Sequence, residues 1–405
     1  MLTANKPKNA RELRALLFDS DGKRRGDSFD LFEAACQEGR LRLSDFSVQD
    51  IAKAFLGDSW EKQFTQLSLR ESIELREAGF PVTSSVFPQI TSQLLFSEIR
   101  AQFMAEANVF SPIVPVIKST IRDAEIVPSI TNPDPDGAQD VLEGQEYPTV
   151  GVTEEYFTLP AKTKKGMKIN LTREAIFHDK TAMLVDAARK IGEALGSARE
   201  NAVIDALIGQ TNNYSRNGTP TNTYLTAGAY INNQSSLALE DWTDVDAALQ
   251  LFVDILDPNT SEPLSFQPKH LVVMPYKVHT ARRIISATEV RTAQNAAAGT
   301  RSEETISPNP ITALGLQLLS SIRLYRRVLA GPESVAATAR DGWFLGDLTK
   351  ALAWYECWPL ELVQRGRDSQ DGFDRDVEMQ FKASYYGVAA VREPRYVARL
   401  ESTAW

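Results

Sequence analysis

The chain has 405 residues, which predicts two or three domains, or one core with long excursions. A hydrophobic fraction of 43% and a charged fraction of 24% are those of average globular chains and exclude wholesale disorder. The net charge is −9, so the composition does not favour a protein built mainly around a basic nucleic-acid-binding domain. Two cysteines far apart and three histidines without metal-ligand spacing exclude a disulfide framework and a cysteine-based zinc site.

No targeting or membrane signal is apparent in the sequence. No apolar run approaches the ~18 residues of a membrane span, and the N-terminus lacks an apolar core followed by a small-residue cleavage site. We therefore expect a protein made in the reducing cytoplasm, with no membrane partner.

The first part of the chain predicts short helices. Residues 1–78 form a polar helical stretch with nearly balanced charge, too small for a strong core of its own, so it should lean on another surface. Val86–Ala107 has apolar residues along one side and predicts a helix. Prolines at 112, 115 and 128 then favour extended chain.

The stretch 123–176 combines opposite charges on a predicted β-hairpin. Residues 123–155 hold nine carboxylates and no Lys or Arg. Tyr156–Thr172 alternates like two strands around a lysine-rich turn, in which Gly166 supplies the bend. The lysines at or near this turn are Lys162, Lys164, Lys165 and Lys168. An isolated two-stranded hairpin is marginally stable, so this one needs a partner surface.

Thr181–Ile208 is the strongest helix prediction. Its 28 residues span ~42 Å, Asp179 or Thr181 can cap its start, and Gly209 stands where a helix ends. Gly192 and Gly196 lie one turn apart inside it, and each costs ~1 kcal/mol relative to Ala in an exposed helix. Close approach of another backbone would explain them, and two tolerated glycines is the alternative.

The following segment predicts a small layered α/β domain. Its first elements are an Asn217-Gly218 turn, a helix over Asp241–Asp257, a buried strand His270–Met274 and a helix over Tyr276–Gln294. Four further strands are predicted over Leu316–Val328, Gly342–Leu345, Ala351–Val363 and Val377–Leu400.

Catalytic and nucleotide-binding motifs are missing from the sequence. It contains no phosphate-cradling G-x-x-x-x-G-K-[ST] loop, no G-x-G-x-x-G after a strand and no G-x-S-x-G elbow. His178 stands just before the long helix, where capping or packing is favoured over general-base chemistry. We assign no catalytic residue and no cofactor.

One segment matches the spacing of a calcium-binding loop. Asn132, Asp134, Asp136, Gly137 and Glu143 follow the twelve-residue pattern. Position one is Asn rather than Asp, two prolines stiffen the loop, and no helices flank it. A solvated acidic turn is therefore favoured over a calcium site, and no metal is assigned.

The order of these parts and two passages carry a resemblance to a known family. The passages run from Tyr147 through Ile176 to Glu200, and from Phe373 through Ala389 to Val397. Over roughly residues 80–405 the chain resembles the major capsid protein of tailed phages, the Hong Kong 97-type fold.

The resemblance implies an α+β fold with a peripheral domain, an extended loop, an axial domain and an N-terminal arm. The implied segments are the N-terminal helical arm 1–78, the start of the peripheral domain 79–122, the extended β-hairpin loop 123–176, the spine helix 177–225, the axial α/β domain 226–364 and the peripheral return strand 365–405.

The resemblance also implies a structural function. Copies would form hexamers and pentamers that enclose double-stranded DNA in an icosahedral virion head, with portal and possibly scaffold or decoration proteins as partners. Contacts between subunits would come from the extended loop through Glu154, Glu155, Lys162, Lys164, Lys165 and Lys168. Close packing of the spine helix would come at Gly192 and Gly196. The acidic balance fits this function, because a strongly basic lining would trap packaged DNA.

Two departures and two alternatives accompany the resemblance. Some relatives lose a longer scaffolding segment, whereas the segment before the fold is about 75 residues here, so we expect a retained arm. Some relatives form Lys–Asn isopeptide bonds, but no matching Asn or Glu is found here, so ordinary salt bridges are expected. The alternatives are an encapsulin-like compartment and a cytoplasmic α/β enzyme with its site in 241–364.

Overall fold

The computed structural model describes most of the chain beyond residue 94. The described ranges, apart from a few single residues within them, are 95–128, 140–146, 156–172, 183–209, 214–256, 266–293, 304–330, 340–365 and 377–401. Several sequence predictions fall outside these ranges, namely the arm 1–78, the helix caps Asp179 and Thr181, His178, Glu154, Glu155 and the first part of the calcium-like pattern from Asn132.

Fifteen β-strands lie within the described ranges. They are β1 (Val116–Lys118), β2 (Ile126–Pro128), β3 (Tyr156–Thr158), β4 (Thr163–Thr172), β5 (Tyr214–Arg216), β6 (Thr219–Thr221), β7 (Asn233–Ser235), β8 (His270–Val273), β9 (Glu289–Ala293), β10 (Glu304–Pro308), β11 (Gln317–Ser320), β12 (Trp343–Gly346), β13 (Leu352–Arg365), β14 (Val377–Val391) and β15 (Val397–Glu401). They form four sheets, with strand orders β1-β13-β14-β4, β2-β3-β5-β6, β11-β8-β12-β15-β7 and the pair β9-β10.

Six α-helices accompany these strands in the described part of the chain. They are α1 (95–103, in which residue 97 is not described), α2 (Met183–Ile208), α3 (Trp242–Val253), α4 (Val278–Ser286), α5 (Ile322–Ala330) and α6 (Leu348–Ala351). None of these described helices is long and apolar enough to cross a membrane.

The chain divides into two compact units. Among the described residues, the first unit comprises 95–105, 164–197 and 358–385, and the second comprises 106–163, 198–357 and 386–401. Four boundaries fall inside β4, α2, β13 and β14, so each of these elements begins in one unit and ends in the other.

The core of the first unit forms between helices and the sheet strand β14. Phe96 on α1 packs edge-to-face on Phe381, with ring centroids 5.8 Å apart, and Phe103 packs on Tyr385 at the same distance. Helix α1 ends at residue 103, one turn earlier than the predicted Ala107. Burial of these aromatic rings supplies most of the driving force for this packing.

The core of the second unit lies against one face of the five-stranded sheet. Strand β8 is buried at all four positions, pairs parallel with β11 and antiparallel with β12, and reads as a short continuous apolar run. Helix α3 packs Val245, Ala248 and Phe252 on this core, and Asp241 and Asp244 form a capping box at its start.

Several predicted elements are confirmed. Helix α2 ends at Ile208, where Gly209 adopts a left-handed φ of 69° that favours glycine. The Asn217-Gly218 turn joins β5 to β6 with φ of 48° and 78°, the geometry of a tight hairpin turn. Strands β8, β12 and β13 fall at the predicted places within two residues.

The predicted hairpin over Tyr156–Thr172 is wrong. Strand β3 pairs with β2 and β5, whereas β4 lies beside β14 at the edge of another sheet. Gly166 supplies no bend, because it lies inside β4, where a Cβ atom would come within 2.8 Å of Ser384 Cβ. The glycine therefore permits close approach of two strands rather than a turn.

Three further boundaries differ from the predictions. The strand predicted over Leu316–Val328 is β11 followed by α5, because Leu324 and Val328 are buried at helical spacing. The helix predicted over Tyr276–Gln294 stops at Ser286 and is followed by β9. The strand predicted over Val377–Leu400 is interrupted at Pro394, which has no N–H for the ladder, so its last part is β15 in the five-stranded sheet.

Candidate assembly surfaces

A buried carboxylate on the long helix holds a turn of the preceding chain. Glu200 is fully buried, and its Oε1 accepts hydrogen bonds from the backbone N–H of Val109 at 2.9 Å and of Phe110 at 2.8 Å. Its Oε2 accepts from the N–H of Ser111 at 2.8 Å and from Ser111 Oγ at 2.7 Å. Four donors from one turn thus converge on one side chain, which fixes the turn at 109–111 against α2. Sequence reasoning missed this residue.

Lys162 is also buried, contrary to the prediction of a subunit contact at the lysine-rich tip. Its Nζ donates to the Ile121 carbonyl at 2.6 Å and to Glu125 Oε2 at 2.8 Å, and its side chain is fully covered. Burial opposes ionisation of Glu125, but hydrogen bonds from Lys162 and Ser119 hold the pKa of this carboxyl below its ordinary value. Lys162 therefore ties the chain after β3 to the segment Ile121–Glu125 before β2, within one chain.

Replacing Lys162 with methionine should lower the free energy of unfolding by about 2 kcal/mol. The change leaves Glu125 and the Ile121 carbonyl without their buried donor. Urea unfolding monitored by circular dichroism measures the difference. Lys165→Met, at an exposed position of β4, is the control and should change the value by less than about 0.5 kcal/mol. Equal effects of the two variants would contradict the anchoring role.

The other predicted lysines lie on an exposed edge strand. Lys164, Lys165 and Lys168 are exposed on β4, the last strand of its sheet among the described strands. Lys164 Nζ stands 5.2 Å from the ring centroid of Trp358, which is 48% exposed. Lysines on an edge strand discourage unspecific pairing, and an exposed tryptophan beside a cation is typical of a contact surface.

Gly192 lies where α1 meets α2 in the first unit. A Cβ atom at this position would be 2.5 Å from the carbonyl oxygen of Ile99 and 2.9 Å from Gln102 Cβ. No side chain fits there without movement of backbone. Gly196, one turn later, is buried.

Asp347 and His270 form a buried polar pair in the second unit. Asp347 caps α6 by accepting from Thr349 N at 3.1 Å and Oγ1 at 2.6 Å, and it pairs with Lys269 Nζ at 2.9 Å. Burial opposes ionisation of Asp347, but these hydrogen bonds and the nearby Lys269 hold the pKa of its carboxyl below the ordinary value. His270 Nδ1 accepts the Leu348 N–H at 3.3 Å, and burial lowers the pKa of its imidazole. The lone pair of His270 Nδ1 therefore accepts a backbone hydrogen bond. This arrangement supports the fold and is not that of a general base.

The pH dependence of stability should report on His270. Its folded-state pKa lies below the unfolded value, so the unfolded chain takes up the proton first as the pH falls. The free energy of unfolding should therefore decrease from about pH 7.5 to about pH 5.5, and His270→Gln should flatten this decrease. His279→Gln, at an exposed position on α4, is the control. An unchanged slope in His270→Gln would contradict the assignment.

A partly exposed aromatic and basic cluster lies at one edge of the five-stranded sheet. The rings of Tyr276 and Tyr325 meet edge-to-face with centroids 5.2 Å apart, and the Arg340 guanidinium stands 5.2 Å from the Tyr276 centroid. Lys277 Nζ lies 3.6 Å from Asp341. We call Tyr276, Lys277, Tyr325 and Arg340 the edge cluster. Sequence reasoning did not single out these residues, which approach only after three separate segments fold.

Metal-ligating groups do not converge in the described ranges. No set of three or more His, Cys, Asp or Glu residues there is placed to hold a metal ion. The first part of the calcium-like pattern lies outside those ranges, so the preference for a solvated acidic turn stays a prediction.

Comparison with known proteins places these features in a class of structural proteins. Residues 154–400 match the model of the phage capsid protein family, and this match covers more than half of the chain. The chain belongs to the phage capsid protein family. The resemblance inferred from the sequence is thereby confirmed, and the mixed α+β architecture agrees with the Hong Kong 97-like prediction. The family favours a phage capsid over an encapsulin-like compartment and over a cytoplasmic enzyme.

Solved capsid structures resemble the chain at low identity. The capsid of an empty GTA particle is 14% identical with a TM-score of 0.44, and the match covers 74% of this chain and 92% of that one. The virus-like particle from Pyrococcus furiosus is 13% identical with a TM-score of 0.40, covering 76% and 99%. The cyanophage Pam1 capsid is 12% identical with a TM-score of 0.43, covering 75% and 92%. A comparison with curated proteins finds no match.

Proposed function

We propose that this chain is the major capsid protein of a tailed phage. Copies assemble in the host cytoplasm into hexamers and pentamers that close into an icosahedral head around double-stranded DNA. The family match over residues 154–400 carries the proposal, because capsid proteins of this family are structural subunits. The DNA is held without sequence specificity, and a portal and a scaffold or decoration protein are further partners.

The segments implied by the resemblance keep their proposed roles. Helix α2 is the spine of the peripheral domain, the five-stranded sheet with α3 and α4 builds the axial domain, and the chain around 123–176 is the extended loop. The close fit at Gly192 supports a rigid spine, since a side chain there would displace backbone.

The contacts between subunits are proposed to be electrostatic at the extended loop. Lys164, Lys165 and Lys168 would face carboxylates of a neighbour, with Glu154 and Glu155 as the corresponding acidic residues. The exposure of β4 supports this role, whereas the burial of Lys162 removes that residue from the set. Each exposed ion pair contributes about 0–1 kcal/mol, but repetition around a closed shell adds many of them.

Negative-stain microscopy of the purified chain tests the proposal. Closed shells or rings of five and six subunits are the expected result. Nuclease-resistant nucleic acid inside particles from infected cells would support a phage head, whereas an enclosed enzyme would indicate a compartment. A monomer or dimer that forms no rings, even with a scaffold protein added, would overturn the proposal.

A further inference from the structure

We propose that the edge cluster is a binding site for the phosphate backbone of double-stranded DNA. The inference rests on the proposed function and deepens it, because the proposed function names the DNA but assigns no residue to its contact. The site differs from the lysines of β4, since the cluster belongs to the second unit and lies at the five-stranded sheet.

The topology brings the cluster to one edge of the five-stranded sheet. Strands β8 and β11 pair in parallel, so their carboxyl ends reach the same edge. Tyr276 and Lys277 follow β8, and Tyr325 lies on α5, which follows β11. Arg340 precedes β12, whose amino end reaches this edge because β12 pairs antiparallel with β8. Three chain segments therefore meet at the kind of edge where open α/β sheets bind their ligands.

Contacts within the cluster hold its side chains in place. The rings of Tyr276 and Tyr325 meet edge-to-face, and the Arg340 guanidinium lies 5.2 Å from the Tyr276 ring centroid and forms a hydrogen bond with Tyr325. A guanidinium held by two rings loses less conformational freedom when a ligand binds, so ordering it costs less free energy. Arg340 is nevertheless exposed, so its N–H donors can reach a phosphate oxygen.

Positive charge is concentrated at this edge although the whole chain is acidic. The segments that carry the cluster and form the starts of α4 and α5 are 277–283, 322–330 and 340–341. They hold seven Lys or Arg and one Asp, whereas the chain has 44 basic and 53 acidic side chains. Asp341 offsets Lys277, and Asp205 offsets Arg327, which leaves an excess of positive charge. Clustered cations of this kind are what contact with phosphate requires.

Arg326 extends the cluster along α5. It shares one side of this helix with Tyr325 and Ile322, because the three stand at helical spacing and opposite the buried residues of α5. Ile322 is 66% exposed and Arg326 is exposed, so this side of α5 is open to a ligand. We therefore assign the phosphate contacts to Lys277, Arg326 and Arg340.

Double-stranded DNA is the polyanion that fits this surface. It presents one phosphate for about every 1.7 Å of its axis, so a few fixed cations meet phosphates in any register, whereas an acidic protein segment would need a matched pattern of carboxylates. Basic and tyrosine side chains both donate to DNA phosphates, and such contacts require no base sequence. Nonspecific contacts of this kind have a Kd of about 10⁻⁴–10⁻⁶ M at physiological salt. One weak site per subunit allows DNA to move while a head fills, which agrees with the acidic balance of the chain.

Binding of a fluorescently labelled duplex to the full, unassembled chain tests the site. The first variant carries Lys277→Gln, Arg326→Gln and Arg340→Gln. It should bind a duplex of about 20 base pairs at least about tenfold more weakly than the wild type at low salt. The slope of log Kd against log salt should also fall by about 2–3, because each phosphate contact contributes about 0.9. Arg326→Gln alone leaves the ring contacts in place and should reduce the slope by about 1.

The matched control removes three exposed lysines elsewhere in the chain, through Lys118→Gln, Lys190→Gln and Lys382→Gln. It loses the same charge as the first variant and should change Kd by less than about threefold, since distant charges are screened by salt. Circular dichroism and thermal melting show that each variant folds. Equal weakening by the first variant and the control, or unchanged binding by the first variant, would overturn the inference.

Assembly separates failure of the inference from failure of the proposed function. The folded first variant should form shells or rings like the wild type. If it does not, the cluster contacts another subunit, which overturns the inference and leaves the proposed function intact. Tighter binding of polyglutamate than of the duplex would assign the cluster to an acidic protein and would also overturn the inference. A wild-type chain that binds the duplex through the cluster but forms no rings would support the site and overturn the proposed function.

Discussion

Replacing Glu200 with alanine is expected to lower the free energy of unfolding by at least about 3 kcal/mol. The carboxylate accepts from three backbone N–H groups and from the Ser111 hydroxyl, and Glu200 itself is fully buried. Each buried donor left without an acceptor costs about 1–3 kcal/mol, and solvent cannot replace the carboxylate without opening the turn. The expected loss of unfolding free energy is therefore several times larger than that caused by removing an ordinary surface hydrogen bond.

Two further variants separate charge from shape at this position. Glu200→Gln retains one acceptor oxygen and should cost less than Glu200→Ala, because two of the four bonds can persist. Glu193→Ala, at an exposed position of the same helix, is the control and should stay within about 0.5 kcal/mol. Denaturant unfolding measures all three, and a loss under about 1 kcal/mol in Glu200→Ala would contradict the proposed role of the carboxylate in holding the turn.

Gly192→Ala is expected to destabilise the protein by about 1–3 kcal/mol, although alanine is the better helix former. The new Cβ would lie 2.5 Å from the Ile99 carbonyl oxygen and 3.1 Å from Ile99 Cα, so α1 or α2 must shift. Overpacking of this kind costs about 1–3 kcal/mol, which outweighs the ~1 kcal/mol gained in helix propensity. The informative result is whether Gly192→Ala lowers or raises the stability of the protein.

Ala194→Gly on the exposed side of α2 is the matched control for helix propensity. It should cost about 1 kcal/mol, since Ala194 is exposed among the described residues. Thermal melting of both variants gives the comparison. A stabilised Gly192→Ala protein would mean that the two glycines are merely tolerated, which was the alternative for the sequence.

Sequence patterns correctly predicted those helices, strands and turns that are determined by residues within the same segment. Helix α2 was found because apolar residues repeat over seven turns and Gly209 ends it, and the β5–β6 turn was found because Asn-Gly favours left-handed backbone. Strand β8 was found because Leu271, Val272 and Val273 form a continuous apolar run after His270. By contrast, the short segment Leu316–Val328 fits both the helical and the strand period, and only packing decides between them.

Features set by distant partners could not be read from the sequence. Lys162 looked like a surface residue of a turn, but its partner Glu125 lies 37 residues earlier. Glu200 was not singled out in the sequence, because its donors lie 89 to 91 residues away. The hairpin prediction failed for the same reason, because β3 and β4 found partners in different sheets. The charge pattern and the hydrophobic period are properties of one segment, whereas strand pairing and side-chain partners depend on the whole fold.

The mass of the purified chain in solution tests the central claim most directly. A single chain has a mass of 44.9 kDa, so light scattering coupled to size-exclusion chromatography separates a monomer from a capsomer or shell at once. We expect a pentamer, a hexamer or a particle of far larger mass, since the proposed function requires repeated contact between identical copies. A measured mass equal to that of a single chain at all accessible concentrations, with scaffold protein present, would contradict the proposed self-assembly into a capsid.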